Sequence, residues 1–382
     1  MMDDSGRFSN LQCSHLSATP VPTSMTPWLV RRRTRTVLVG DLSIGGDAPV
    51  SVQTMTKTDT RDVARTVRQI KVLEAAGCDL VRLAIPDALA AEALGRIRRA
   101  VKVPLAADIH FDYRLALLAL DAGANKLRLN PGNIGSRDRV AQVVAAAKER
   151  GVPIRIGVNA GSLEKDILAE YGKPTPQAMV ASAFRAIRVL EDNAFEHIVV
   201  SLKASEVGMT VAAYRELAAK TDFPLHLGIT EAGSLHSGTI RSAVGIGTLL
   251  AEGIGDTLRV SLTAHPKEEV RVGQEILASL DLVRNRPTVV SCPTCGRVQA
   301  DIFGIVREVE KRSRRLKRPL RIAVMGCEVN GPGEAREADV GLAAGRGGGL
   351  IFRRGQVVAK VKAEEMLEAL WKEIANEEKI DG

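Results

Sequence analysis

Aromatic residues are scarce in this chain, at 3% of 382 residues, and the scarcity limits both its core and its partners. A core with few rings must be built from Val, Ile, Leu and Ala, which suits parallel strands covered by helices. A single-strand nucleic-acid binder needs aromatic platforms, so the formal net charge of +8 calls for another explanation. No apolar run reaches the roughly 18–20 residues of a membrane span. No charged-then-apolar leader opens the chain. A cytoplasmic protein is the expectation. No His lies beyond His265 and no second C-x-x-C follows Cys292-Pro293-Thr294-Cys295, so a zinc ribbon lacks part of its usual ligand set. Disulfides are not expected from five cysteines in a large chain assigned to a reducing compartment; metal or catalysis is.

What is present is a regular alternation. Short apolar runs at Val50–Thr54, Leu80–Ala84, Pro104–Ala107, Lys126–Leu129, Pro153–Val158, His197–Leu202, Pro224–Gly228 and Thr257–Leu262 read as strands. Each precedes a stretch of helical period, and several of these stretches stop at a glycine, as at Ala76-Gly77 and Glu252-Gly253. Eight such units predict an α/β fold, a (β/α)8 TIM barrel. The rival, a doubly wound open sheet, lacks a Gly-rich dinucleotide turn after its first strand. Residues 1–30 are polar and read as a disordered tail, with Met25 as an alternative start. The barrel is assigned to 31–285. After the linker Asn285-Arg286-Pro287 a smaller α+β domain, 286–382, carries strands at Thr288–Ser291, Leu320–Met325, Ala338–Leu342 and Leu350–Val361 and helices at Asp301–Arg315 and Ala363–Asn376.

Arg82, Arg128, Arg155, Lys203 and Arg259 interrupt or close five of the barrel strands. Buried charge is costly unless paired, and few acids stand at matching positions, chiefly Asp108, Glu231 and Asp79. Strand ends converge on the barrel mouth, where guanidinium forks match phosphate oxygens. A polyphosphate or diphosphate site is predicted; the competing reading is local pairing or snorkelling of each cation. Asp108 and His110, His226, and Glu231 point to the same mouth as acid/base candidates, although a strand His such as His226 is commonly a core residue.

Cys292, Cys295 and Cys327 offer three thiolates, and Glu334 in Asn330-Gly331-Pro332-Gly333-Glu334 offers a carboxylate. That set suits an iron–sulfur cubane with one iron held by a harder, displaceable ligand. A redox C-x-x-C or structural zinc remains open on spacing alone. Cys13 and Cys78 receive no role.

Taken together, several segments resemble one family. They are Val52-Gln53-Thr54-Met55-Thr56, Ala107-Asp108-Ile109-His110-Phe111-Asp112-Tyr113-Arg114 and Arg128-Leu129-Asn130-Pro131-Gly132-Asn133-Ile134-Gly135. Further along stand Arg155-Ile156-Gly157-Val158-Asn159-Ala160-Gly161-Ser162-Leu163, His226-Leu227-Gly228-Ile229-Thr230-Glu231-Ala232-Gly233, and the two cysteine-domain motifs already quoted. From about Arg31 onward the chain resembles the 4-hydroxy-3-methylbut-2-en-1-yl diphosphate synthase family of the methylerythritol phosphate isoprenoid pathway, in its two-domain bacterial form. The resemblance implies reductive opening and dehydration of 2-C-methyl-D-erythritol 2,4-cyclodiphosphate. It implies electrons delivered singly from flavodoxin or ferredoxin through a [4Fe-4S] cluster, held by Cys292, Cys295, Cys327 and Glu334. It assigns Arg82, Arg128, Arg155, Lys203, Arg259 and Ser261 to the diphosphate. Asp108, His110, Asn130, Asn159, His226 and Asn330 are placed along the site, with Glu231 as acid/base residue. Thr54 stands where Ser is usual, and Glu328 where an apolar residue is usual, with a solvent-facing position expected.

The last barrel helix returns the chain to the face opposite the mouth, and three linker residues reach only about 10 Å. A head-to-tail homodimer, each second domain capping the partner's mouth, is therefore expected, with hinged closure over substrate. Two rival functions were weighed. One is a pterin-synthase-like phosphate barrel with a structural metal domain. The other is a nucleic-acid-binding module, which the in-strand arginines argue against.

Overall fold

The computed structural model describes residues 29–130, 134, 136–283, 286–298, 300–316, 318–327, 333 and 337–380. The expected tail falls outside them except for Leu29, which is buried, and Val30. Glu328, Asn330 and Glu334 also lie outside.

An antiparallel hairpin comes first, β1 (Val37–Val39) and β2 (Leu42–Ile44). The sequence reading did not anticipate it. Eight parallel strands follow: β3 (Ser51–Met55), β4 (Leu80–Ala84), β5 (Leu105–Asp108), β6 (Lys126–Leu129), β7 (Ile154–Asn159), β8 (Ile198–Lys203), β9 (His226–Leu227) and β10 (Thr257–Leu258). Helices α1 (Val63–Ala75), α2 (Ala88–Ala100), α3 (Tyr113–Asp121), α4 (Arg137–Glu149), α5 (Lys165–Tyr171), α6 (Pro176–Glu191), α7 (Val207–Lys220), α8 (Leu235–Ala251) and α9 (Pro266–Ala278) surround them. Short α5 is an addition to the expected eight. None of the described helices is long and apolar enough to cross a membrane.

The helix starts follow their capping chemistry. Asp62, Asp87 and Thr175 accept from the backbone N–H three residues on, each satisfying a donor of the first turn. The space between strands and helices is filled by Val, Ile, Leu and Ala, with Tyr214, Phe195 and Phe223 as buried rings. The hairpin plugs the bottom of the barrel, where Val39 and Ile44 pack on Leu80 and Ala106. The chain before it is tied down by Arg31, which donates to Asp256 at 3.0 Å, and by Arg32 N–H, which donates to the Gly253 carbonyl at 2.9 Å.

The ladder runs in order from β8 back to β3 and then through β10 to β9. Closure between β8 and β9 rests on one bridge, Val200 to Leu225. Tyr214, fully buried on α7, stitches this seam: its hydroxyl accepts from the Leu202 N–H at 3.0 Å and donates to the His226 carbonyl. A side chain thus satisfies backbone groups that a longer ladder would have paired.

The second domain is a five-stranded sheet in order β11 (Thr288–Ser291), β12 (Arg321–Met325), β13 (Val340–Gly345), β14 (Gly348–Arg353), β15 (Gln356–Lys362). The first three are parallel and the rest antiparallel. Helices α10 (Ile302–Ser313) and α11 (Met366–Ile380) cover one face, through Ile302, Val309, Leu370 and Ile374. The sequence reading made Leu350–Val361 one strand; it is two, because Arg354 and Gly355 take positive φ and reverse the chain. Arg286 of the linker donates to the Ala76 carbonyl at 2.9 Å. Ala76 ends α1 at the helix-to-strand side of the barrel, so the linker is anchored on the face opposite the mouth.

Tyr214→Phe keeps the ring but strands the Leu202 N–H and His226 carbonyl. A loss of about 1–3 kcal/mol in chemical unfolding is expected; an unchanged midpoint would show that the seam does not depend on the hydroxyl.

Candidate active site

Side-chain alternation along the strands turns one set of residues into the barrel. On β4 and β5 this set includes Arg82 and Asp108, on β6 Lys126 and Arg128, on β7 Arg155 and Asn159, and on β8 Ser201 and Lys203. His226, Arg259 and Ser261 follow from β9 and from the chain after β10. Arg82, Asp108, His110, Arg128, Arg155, Asn159, Ser201, Lys203, Thr230, Arg259 and Ser261 line a cavity of about 210 Å³. A larger cleft of about 370 Å³ lies on the second domain, but Asp301 is its only charged lining residue. Converging charge makes the mouth the candidate site.

The five cations expected from the sequence do meet there. Arg155 is 1% exposed, Lys203 7% and Arg128 8%. A sixth, Lys126, is completely buried and donates to Gln53 Oε1 at 3.1 Å. The sequence reading passed over Lys126, although it stands two residues from Arg128 on the same strand face. Two carboxylates oppose the six. Asp108 accepts from Arg128 at 3.2 Å and stands 3.7 Å from Arg82. Glu269, from the first turn of α9, accepts from Arg259 at 3.3 Å and also meets Lys57 at 3.1 Å. Glu269 was not anticipated. Of the acids that were, Asp79 accepts from the Val52 N–H instead, and Glu231 is exposed. Arg82 spends two donors on the Met55 sulfur, a weak acceptor, at 3.0 and 3.2 Å. Among the described residues, Arg155 Nε and Nη1 and the Nε of Arg128 and of Arg259 have no partner.

The electrostatic result is a site short of negative charge. Burial, then the neighbouring arginines, pushes Lys203 well below its ordinary value. Burial with Arg155 and Arg82 does the same to Lys126, and burial lowers Arg82 to about 10 against the pull of Asp108. Burial raises the Asp108 carboxyl, but Arg82, His110 and Arg128 outweigh it and hold the group below the usual carboxylate range.

Two glycines make room for this crowd. A Cβ on Gly157 would stand 2.7 Å from Arg128 Nε, and one on Gly228 would stand 2.7 Å from Lys203 Nζ and 2.6 Å from the Arg259 carbonyl oxygen. Any other residue displaces a cation.

The acid/base candidates separate. His110 Nε2 lies 3.0 Å from Arg128 Nη1 and 3.4 Å from Asp108 Oδ1, within reach of both. His226 is fully buried below the cavity and does not line it; its Nδ1 lies 3.4 Å from Thr257 Oγ1 and its Nε2 has no protein partner. Asn130 follows β6 at the mouth without lining the cavity. Glu231 stands in the turn after β9 at φ 52°, a left-handed conformation sparsely used by non-glycine residues and found where structure over-determines it.

The cysteines occupy the C-terminal ends of neighbouring parallel strands. Cys292 follows β11 and Cys327 lies just beyond β12. Thr294 N–H donates to Cys292 Sγ at 3.4 Å, and Arg297 Nε donates to Cys295 Sγ at 3.4 Å. Gly326 leaves space between Cys292 Sγ and Val298 that a Cβ would fill. Arg297, through its backbone and then its guanidinium, lowers the Cys295 thiol, and its charge reaches Cys327 and Cys292. Among the described residues no three His, Cys, Asp or Glu side chains converge as holders of a metal ion.

Fold and site together define a TIM-barrel enzyme with a cation-lined mouth, joined to a cysteine-bearing domain. The family description "GcpE TIM-barrel domain" matches residues 34–274, and "GcpE protein C-terminal domain" matches 288–376. The chain belongs to the GcpE family. A relative from Geobacter sulfurreducens is 60% identical over 351 residues, 92% of this chain and 99% of that protein. One from Caldanaerobacter subterraneus is 56% identical over 345 residues, 90% and 97%. Both bear the name 4-hydroxy-3-methylbut-2-en-1-yl diphosphate synthase (flavodoxin). Among solved structures, dihydropteroate synthase from Stenotrophomonas maltophilia is 14% identical, covers 64% of this chain and 98% of that one, and gives a TM-score of 0.47. So distant a likeness carries no functional argument. The pterin-synthase-like alternative is thereby set aside, since the family match takes in both domains.

Arg155→Met removes a buried cation that has no carboxylate partner. The empty protein is expected to gain about 1 kcal/mol or more in chemical unfolding. Affinity for inorganic diphosphate should fall at least about tenfold, the scale of a lost charged hydrogen bond. A shared direction of the two changes would contradict an anion site. Diphosphate should also raise Lys203 and Lys126 from their depressed values, so binding takes up protons in the pH range between the two. Calorimetry in buffers of differing ionisation enthalpy measures this, and proton release would have the wrong sign.

Proposed function

We propose that this chain catalyses the reductive ring opening and dehydration of 2-C-methyl-D-erythritol 2,4-cyclodiphosphate to 4-hydroxy-3-methylbut-2-en-1-yl diphosphate. The observation that carries the reading is the mouth itself, where, among the described residues, Arg82, Lys126, Arg128, Arg155, Lys203 and Arg259 are opposed by Asp108 and Glu269 alone. A cyclic diphosphate supplies the missing charge and the acceptors for the orphaned guanidinium donors. Arg82, Arg128, Arg155, Lys203, Arg259 and Ser261 hold the diphosphate. Asn130, Asn159 and Asn330 contact the remainder of the substrate, with Asp108 and His110 fixing Arg128 from the opposite side. His226 acts from beneath, in the layer that orients the cations.

In this reaction two electrons enter one at a time, a ring C–O bond breaks, and a hydroxyl leaves as water with a proton. Glu231 is the acid/base group that delivers it. Cys292, Cys295, Cys327 and Glu334 would hold a [4Fe-4S] cluster, which supplies the electrons. The donor set fits: Cys292 and Cys295, in the turn after β11, accept N–H bonds from Thr294 and Arg297, as cluster thiolates do, and Cys327 stands just beyond neighbouring β12. A cubane, unlike a single ion, takes its thiolates spread apart. Flavodoxin, as in the relatives' names, is the electron donor, with ferredoxin as the other candidate, and the protein works in the cytoplasm.

Anchorage of the linker beside Ala76, away from the mouth, supports a head-to-tail homodimer. Each second domain then closes over the partner's cavity, which also brings exposed Glu231 into a dry site.

Glu231→Gln should leave binding of the cyclic diphosphate within about twofold while turnover falls about 10²- to 10⁴-fold, the usual worth of general acid/base catalysis. Anaerobic single-turnover kinetics with equilibrium binding decide this; turnover near wild type withdraws the role.

A further inference from the structure

Outside the mouth, Arg297 is a cation that meets no carboxylate among the described residues. It follows the C-x-x-C turn and is exposed. Its Nε donates to Cys295 Sγ at 3.4 Å. The turn is built to hold it there. Thr294 adopts φ 57°, a left-handed conformation in a β-branched residue, and Val298 N–H donates back to the Cys295 carbonyl at 3.0 Å. Val298 itself is set against Gly326 of the Cys327 strand end, where a Cβ would come within 2.5 Å of it. The strained residue and the closed turn fix the arginine between the two cysteine-bearing segments.

A fixed positive charge and a hydrogen bond at sulfur both favour the more negative, reduced form of an iron–sulfur centre. We infer that Arg297 is a positioning residue for electron uptake: its guanidinium, bonded to Cys295 Sγ, raises the reduction potential of the centre held by Cys292, Cys295 and Cys327. The inference rests on the cluster reading given above and adds a residue outside its ligand set. Through it, the domain eases acceptance of the first electron from a low-potential donor, without a contribution from the cation ring in the barrel.

The test uses the full chain, reconstituted anaerobically and titrated with redox mediators, the reduced centre being followed by electron paramagnetic resonance. At the wild-type midpoint, Arg297→Met is expected to lower the ratio of reduced to oxidised centre about tenfold, about 59 mV for one electron. Arg297→Lys retains the charge and should keep at least half of that potential. Iron and sulfide stay near about four per chain in all three. Wild-type protein that binds no iron and sulfide refutes the cluster reading itself. Loaded wild type and loaded Arg297→Met with equal potentials overturn this inference alone. Should Arg297→Met fail to load, Arg297→Lys decides: a potential near wild type supports the inference, whereas a full tenfold shift, or failure to load as well, overturns it by making the arginine a requirement of the turn.

Discussion

Positive charge taken out of water without matching negative charge is the constraint on which this barrel is organised. Six cations share one interior with two carboxylates, and several guanidinium nitrogens there have no protein acceptor. Desolvation of such groups costs several kcal/mol each. The surrounding shell of Val, Ile, Leu and Ala must offset the part of that cost which Asp108 and Glu269 leave uncompensated. A folded state that tolerates this arrangement is pre-organised for an anion: the donors already point inward and the expense of dehydrating them has been met before the ligand arrives.

The geometry that keeps the cations in place is made largely of small or backbone-directed features. Gly157 and Gly228 are sites of close approach, where the guanidinium of Arg128 and the ammonium of Lys203 lie against bare backbone. Tyr214 holds the β8–β9 seam, and so fixes Lys203 and His226 from outside the barrel. Glu269 reaches in from α9 to Thr54, Arg259 and the Leu262 N–H at once, which ties the last strand to the first. Side chains that never touch the cavity therefore determine its charge geometry.

Much of this was legible from local pattern. Arginines inside apolar runs stand out because strand alternation assigns them to a face, and the strand ends of a parallel barrel converge by topology. The same rule covers Lys126, two residues from Arg128, but a lysine at the start of a strand resembles an ordinary boundary residue and does not stand out. Glu269 was illegible for a different reason: its role depends on a helix from the far end of the barrel meeting β3 and β10, a contact of long sequence separation. The hairpin Val37–Ile44 escaped because three-residue strands carry too little alternation to be told from loop. Likewise Arg354 is no usual left-handed residue, so the turn it makes with Gly355 carries little local signal.

Dividing the proposed chemistry between two domains follows from the same electrostatics. An anionic iron–sulfur centre built into the barrel mouth would itself be the counter-charge that the ring lacks, and would compete with the diphosphate for it. Carried on a separate sheet, with the linker held at the barrel's opposite face by Arg286, such a centre does not neutralise its own ring. The ring's attraction is then left for the substrate, whose charge in turn weakens the field that a second anionic body would meet on approach. On this reading the order of events is electrostatic: diphosphate enters a bare positive site first, and the electron-carrying domain of the partner closes on a site already neutralised. Arg297 fits the same logic, because a centre kept away from the barrel's cations needs a positive charge of its own to take up an electron.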